Sequence, residues 1–286
     1  MNGTSMASPN ACGGIALVMS GLIAGGASWS ARRLRMAVEA TASSTPNATG
    51  SEVDRWALGR GLIQVGAAYD WLVANADEGL ADVRFRVKAA ATGSGAAQGQ
   101  RGRGVYLREP QHTKGDVTCA VSIKPELHED EPNKEKLSID IPVALTTSAP
   151  WLSCAPSLAL TYGGKGFDLK VGCASLPPGA HFAEVLGTDT TKSGLGALFR
   201  VPVTVIKPHA DLLAGNGGCS YAAYEGLPFT PGHIERRFVV PPAGATWATV
   251  VLEVRGAPRS READGGQTIF MLHTTQLLPS KRIQEW

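Results

Sequence analysis

Ser5 is the side chain in this sequence whose setting suits a nucleophile. It follows Gly3-Thr4, precedes Met6-Ala7-Ser8-Pro9, and opens onto a long apolar stretch, residues 11–27. A helix that begins here would carry the Ser5 hydroxyl on or near its N-cap. There the first backbone N–H groups lack intrahelical acceptors and favour negative charge. Such a position can supply an oxyanion hole as well as the attacking oxygen. Pro9 fits a first-turn position, where its missing N–H costs no helical bond.

A serine hydroxyl attacks well only when a histidine takes its proton and a carboxylate holds that histidine in the right tautomer. Only four residues precede Ser5. The histidines, His112, His128, His181, His209, His233 and His273, all lie at least a hundred residues downstream, in segments that read as strands or polar loops. They read as surface or strand-end side chains, not as a general base.

The run Gly3-Thr4-Ser5-Met6-Ala7-Ser8-Pro9 resembles the catalytic-serine motif of the subtilisin-like serine peptidases. The longer run, Asn2 through Ser8 and on to Asn10-Ala11-Cys12-Gly13-Gly14-Ile15-Ala16-Leu17, is similar to the tripeptidyl-peptidase branch of that group. In subtilisin-like enzymes the Asp, the His and the Asn of the oxyanion hole precede the serine, so none is expected in this chain. The resemblance implies Ser5 as nucleophile with its backbone N–H in the oxyanion hole, no cofactor and no metal. It implies an enzyme that releases tripeptides from the free N-termini of oligopeptides, cytoplasmic and homo-oligomeric in its intact form. This chain is expected to be a fragment of such an enzyme and inactive alone. The alternative is a non-enzymatic β-sandwich protein that acts in assembly.

The elements that would position Ser5 follow from patterning. Residues 11–27 have the length of a marginal membrane span, but Gly13, Gly14, Ser20, Gly21, Gly25 and Gly26 interrupt it and no basic residue precedes it. It therefore reads as a helix buried on all sides within an α/β domain. Ser30 is placed to cap a second helix over residues 31–40, with Leu34, Val38 and Thr41 on its buried face and Ser43 to Asn47 ending it. Gly59-Arg60-Gly61-Leu62-Ile63-Gln64-Val65 leads into a third helix over residues 67–74 and resembles the closing segment of subtilisin-like domains.

Residues 89–104, rich in Gly, Ala and Gln, read as a flexible loop. Period-two alternation then marks strands at residues 105–108, 117–123, 136–145, 158–162 and 167–171, with two more within 176–187 and 196–205. Their order and turns predict an antiparallel sandwich of immunoglobulin or fibronectin type. Residues 128–136 form a charged connection that reads as a solvated loop in preference to a calcium site. After a break at Lys207-Pro208, residues 229–252 resemble the start of a galactose-binding-like domain, residues 268–277 add a strand, and Trp247 reads as core. The expected fold is thus mixed: the C-terminal piece of an α/β subtilisin-like domain (1–76), an immunoglobulin-like sandwich (77–208) and part of a galactose-binding-like jelly-roll (209–286).

Composition narrows the partners. With 27 basic and 25 acidic residues the formal charge is +2, which gives no electrostatic footprint for nucleic acid. The clusters at Arg32, Arg33 and Arg35, at Arg101 and Arg103, and at Arg259 and Arg261 read as solvated. Five cysteines, Cys12, Cys119, Cys154, Cys173 and Cys219, at wide spacing support neither zinc nor a disulfide framework. Buried thiols in a reducing compartment are expected, with a Cys154–Cys173 pairing left open. The expected partners are peptide substrates and further copies of the full-length protein, without nucleic acid or membrane.

Overall fold

The computed structural model describes residues 3–43, 58–92, 102–128, 130–209, 213–214, 220–230, 232–254, 269–276 and 284–285. They divide into two units, 1–207 and 208–286. The expectations at Arg101, Cys219, Arg259 and Arg261 lie outside the described residues.

Three helices open the first unit: α1 (Thr4–Ala24), α2 (Ala31–Thr41) and α3 (Val65–Ala74). Ser30 caps α2 as its residue type predicts, its hydroxyl oxygen accepting from the Arg33 N–H at 3.1 Å. Val18 and Leu22 of α1, Leu34 and Ala37 of α2, and Ala68 and Leu72 of α3 form one buried cluster. The three helices close on each other because glycines let them. A Cβ on Gly14 would lie 2.9 Å from Val65 Cγ2, and one on Gly21 would lie 2.9 Å from the Tyr69 ring.

The expectation that α1 is buried on all sides is corrected. Only Val18 and Leu22 are buried, while Leu17 is 69% and Ile23 64% exposed. The physical reason is that α2 and α3 cover one face of α1, and no other described element covers the opposite face. By length and composition alone α1 could cross a membrane.

The rest of the unit is a two-sheet sandwich. One sheet has the order β1 (Arg84–Thr92), β3 (Val117–Glu126), β7 (Lys165–Val171), β5 (Leu152–Ser153). The other has the order β2 (Val105–Leu107), β9 (Ala197–Lys207), β8 (Gly179–Asp189), β4 (Asp140–Thr147), β6 (Ser157–Thr161). Alternate residues of each strand meet between the sheets, as in β3, where Cys119, Val121 and Ile123 are buried and Ala120, Ser122 and Lys124 are exposed. Val143, Leu160, Val185, Val201 and Val203 answer from the facing sheet. Gly187 leaves room for Phe199, whose ring would lie 2.2 Å from a Cβ placed there.

Three details depart from the sequence reading. Residues 89–92 belong to β1, not to a flexible loop, because Val87 and Ala89 face the core in register with Ile123 and Val121. Lys136 and Leu137 end a short exposed helix, α4 (Asn133–Leu137), which follows Pro132, so strand β4 starts only at Asp140. All sandwich pairings are antiparallel except β2 with β9, which is parallel with Val105 opposite Val203. Gly104 makes that edge possible, since a Cβ there would meet the Pro202 carbonyl at 2.4 Å.

The second unit contains short pairs: β10 (Leu213–Ala214) with β11 (Ser220–Tyr221), and β12 (Thr275–Gln276) with β13 (Gln284–Glu285). Trp247 is 86% exposed, which corrects its assignment to a core. No described strand packs over it. The strand expected at residues 268–277 is reduced to β12, and its ends lie outside the described residues. His209 joins Val239 in a β-bridge, and its ring packs edge-on against Tyr224.

Candidate functional site

Gly3 precedes α1 with φ 135°, a conformation that favours glycine, and its carbonyl accepts from the N–H groups of Met6 at 3.1 Å and Ala7 at 3.3 Å. Ser5 is therefore the second residue of the helix, two positions past the N-cap Gly3. Its side chain is exposed, and among the described residues its hydroxyl has no hydrogen-bond partner. Its N–H comes ahead of the first backbone bonds of the helix, which Met6 and Ala7 donate to Gly3. Pro9 is the sixth helical residue, which corrects its placement in the first turn. Because Pro9 has no N–H, the Ser5 carbonyl receives no bond from four residues on, and the helix tolerates this one turn from its end.

No histidine is brought to Ser5 among the described residues. His128 Nε2 lies 3.3 Å from Asp82 Oδ2, His181 Nε2 contacts the Pro177 carbonyl at 2.8 Å, and His233 Nε2 lies 3.4 Å from Glu235 Oε2. His209 Nδ1 lies 3.3 Å from the Phe238 carbonyl, and His273 is exposed. His112 departs from the expected surface position. It is buried beside Arg108, Glu109 and Thr113.

What the sequence reading missed is how the helices behind Ser5 are tied to the sandwich. Arg32 and Arg33, read as solvated, are half-buried donors. Arg33 gives Nη1 to the carbonyls of Asn75 (3.1 Å) and Ala76 (2.7 Å) and Nη2 to that of Glu78 (3.0 Å). Arg32 Nη1 reaches the carbonyls of Asp82 (3.2 Å) and Glu126 (2.8 Å). Ser30 Oγ donates to Asp82 Oδ1. The signal available in the sequence was Ser30 itself: a capped helix start fixes where the next two arginines emerge.

The thiols are Cys12, exposed on α1; Cys154, half-buried; and Cys119 and Cys173, buried; all four are free. No Cys154–Cys173 bridge is present. Burial, with the neighbouring Cys173, pushes the Cys119 thiol up to about 11. Burial, with Asp116 nearby, pushes Cys173 up to about 11 against the opposing pull of Lys207. Neither is a nucleophile near neutral pH.

A serine on the first turn of a glycine-led helix, followed by a β-sandwich, is compatible with a subtilase-type serine peptidase carrying appended β domains, and the sequence comparisons give that class. The sequence matches the subtilase family over residues 1–61, the tripeptidyl-peptidase II first Ig-like domain over 83–206, and the tripeptidyl-peptidase II galactose-binding domain-like family over 229–286. The family of the chain is accordingly that of tripeptidyl-peptidase II. It is 33% identical to tripeptidyl-peptidase 2 of Oryza sativa subsp. japonica and 34% identical to that of Arabidopsis thaliana, in each case over 100% of this chain and 20% of the relative. Against the Drosophila melanogaster protein it is 32% identical over 98% of this chain and 19% of the relative. A crystal structure of tripeptidyl peptidase 2 superposes with a TM-score of 0.64 at 31% identity, covering 76% of this chain and 17% of that one. The chain thus spans about a fifth of the length of these relatives.

Proposed function

We propose that this chain carries the nucleophile-bearing end of a serine exopeptidase that releases tripeptides from the free N-termini of oligopeptides. One observation carries the reading: Ser5 stands exposed on the first turn of α1, its hydroxyl without a partner among the described residues and its N–H ahead of the first backbone bonds of the helix. In the complete site, Ser5 Oγ attacks the third peptide carbonyl while a histidine takes its proton. The amine leaves with that proton, and water releases the acyl group. The chain by itself does not turn over substrate, since no His–carboxylate pair reaches Ser5 among its described residues. Losing that pair removes rate by orders of magnitude. The reading further holds that the full-length protein is cytoplasmic and self-assembles, takes peptides as partners, needs no cofactor, and binds neither nucleic acid nor membrane.

The closed sandwich core favours one second reading, in which the chain acts in assembly without catalysis. A single experiment separates the two. The 286-residue chain is assayed with a tripeptidyl amide bearing a fluorogenic leaving group, beside the product of a reading frame extended upstream of Met1. The expected result is no burst from the chain alone and turnover by the extended product that Ser5→Ala abolishes. A burst from the chain alone, lost in Ser5→Ala, overturns its inactivity. An upstream frame without Asp and His segments leaves assembly as the function.

A further inference from the structure

Helix α3 is gripped at both ends by charged groups from other elements. Just ahead of its start, Arg60 Nη1 donates to Glu184 Oε2 of β8 at 2.9 Å, and Arg200 Nη1 of β9 lies 3.7 Å from the same oxygen. The Glu184 side chain is only 10% exposed, so this carboxylate relies on those two guanidiniums. At the far end, Arg33 satisfies the carbonyls of Asn75, Ala76 and Glu78, where a cation also suits the helix dipole. Lys192 Nζ then meets Glu78 Oε2 at 2.5 Å, joining this end to the sandwich as well.

Between its ends α3 faces two ways. Val65 and Tyr69 press on α1 at Gly14 and Gly21, closer than any other residue type would permit. Trp71 packs both with the helical cluster and against the sandwich core. Since α1 buries only Val18 and Leu22, contact with α2 and α3 is what fixes it within the described residues.

We infer that α3 is a strut through which the Ig-like sandwich holds the helix that bears Ser5, and that Arg60 and Arg33 are positioning residues for that serine. The inference rests on the reading of Ser5 as nucleophile, for which placement matters: misplacing a reacting atom by about 1 Å can cost on the order of a hundredfold in rate. The sandwich thereby serves the peptidase end of the chain mechanically, without touching its chemistry.

The test is amide hydrogen exchange on the whole 286-residue chain, following α1 and, as an internal reference, β3 and β7, which neither arginine touches. Arg60→Met and Arg33→Met are each expected to speed exchange in α1 by about tenfold, the equivalent of about 1.4 kcal/mol of local opening, with β3 and β7 unchanged. Arg60→Lys, which keeps the charge opposite Glu184, restores most of the protection. Unchanged α1 exchange in both Met variants overturns the inference. So does a rise shared equally by α1, β3 and β7, which would mean general destabilisation; if a Met variant does not fold, Arg60→Gln, which removes the charge opposite Glu184, decides by whether α1 loosens selectively. The readout needs no catalysis, so the strut can stand while the assignment of Ser5 falls, and the Ser5→Ala assay can succeed while the strut fails.

Discussion

The sandwich of the first unit, read from sequence as alternating strands, and residues 229–252 of the second, read as the start of a galactose-binding-like β domain, end in opposite states. In the sandwich, Val143, Val185, Leu169 and Val201 are fully withdrawn from water. In the second unit, Trp247, Val250, Val251 and Leu252 stand 86%, 59%, 79% and 59% exposed. The side chains are equally apolar. What differs is a facing sheet: nine strands in two layers enclose the first set, whereas the described pairs of the second unit are two residues long. Alternation thus specifies which side of a strand must be covered, and burial follows only when a second layer supplies the cover.

The largest effect that sharpens this contrast is expected from Leu169→Ala, which empties a fully buried position between the sheets. Unfolding by denaturant, followed for the first unit, should show a loss of about 2–5 kcal/mol. A loss below about 1 kcal/mol would mean the two sheets are not packed as described.

An intermediate effect is expected from alkaline pH, because the first unit hides two thiols. Cys119 and Cys173 are raised from 9.0 to about 11 in the folded chain. The folded state therefore holds its thiol protons more tightly than the unfolded one. The resulting stability is fully present below about pH 9 and is lost as pH climbs through about 11. A stability profile of the chain against pH should fall across that window, and the fall should shrink in Cys119→Ala/Cys173→Ala. A flat profile in the parent chain would break the contrast by showing that these two thiols are not withdrawn from water.

The smallest effect is expected from Trp247→Ser. An exposed side chain with no covering layer should alter stability by within about 0.5 kcal/mol. A loss of several kcal/mol, or a large blue shift of Trp247 emission in the parent, would show that this stretch is packed and remove the difference between the units.

Much of this arrangement was legible beforehand, for identifiable reasons. The Ser30 cap, the second and third helices, and strands β3, β6, β7, β8 and β9 announce themselves through capping chemistry and period-two alternation. Strand β1 hid because Ala89, Ala90 and Ala91 look like low complexity, although Phe85, Val87 and Ala89 alternate with Arg84, Arg86 and Lys88. Helix α4 hid because Lys136 and Leu137 continue smoothly into the alternation of β4. At the candidate site, the place of Ser5 near a helix start was legible because its local sequence specifies a turn and a helix start. The strut was not, because it depends on Arg60 meeting Glu184, 124 positions away. No local pattern marks such a pair, and the neighbouring arginines looked like ordinary surface charge.

The parallel edge strand β2 has a consequence for the order in which the chain assembles. Val105 and Val203 are partners separated by roughly a hundred residues, whereas β8 and β9 are joined by residues 190–196 alone. Closing so long a loop costs entropy before any contact repays it, and such pairings slow folding. The β8–β9 hairpin can zip early, but the edge can seal only after the intervening strands have collapsed. Gly104 then acts at the final step of closure, where its bare backbone lets the last strand slide in against Pro202.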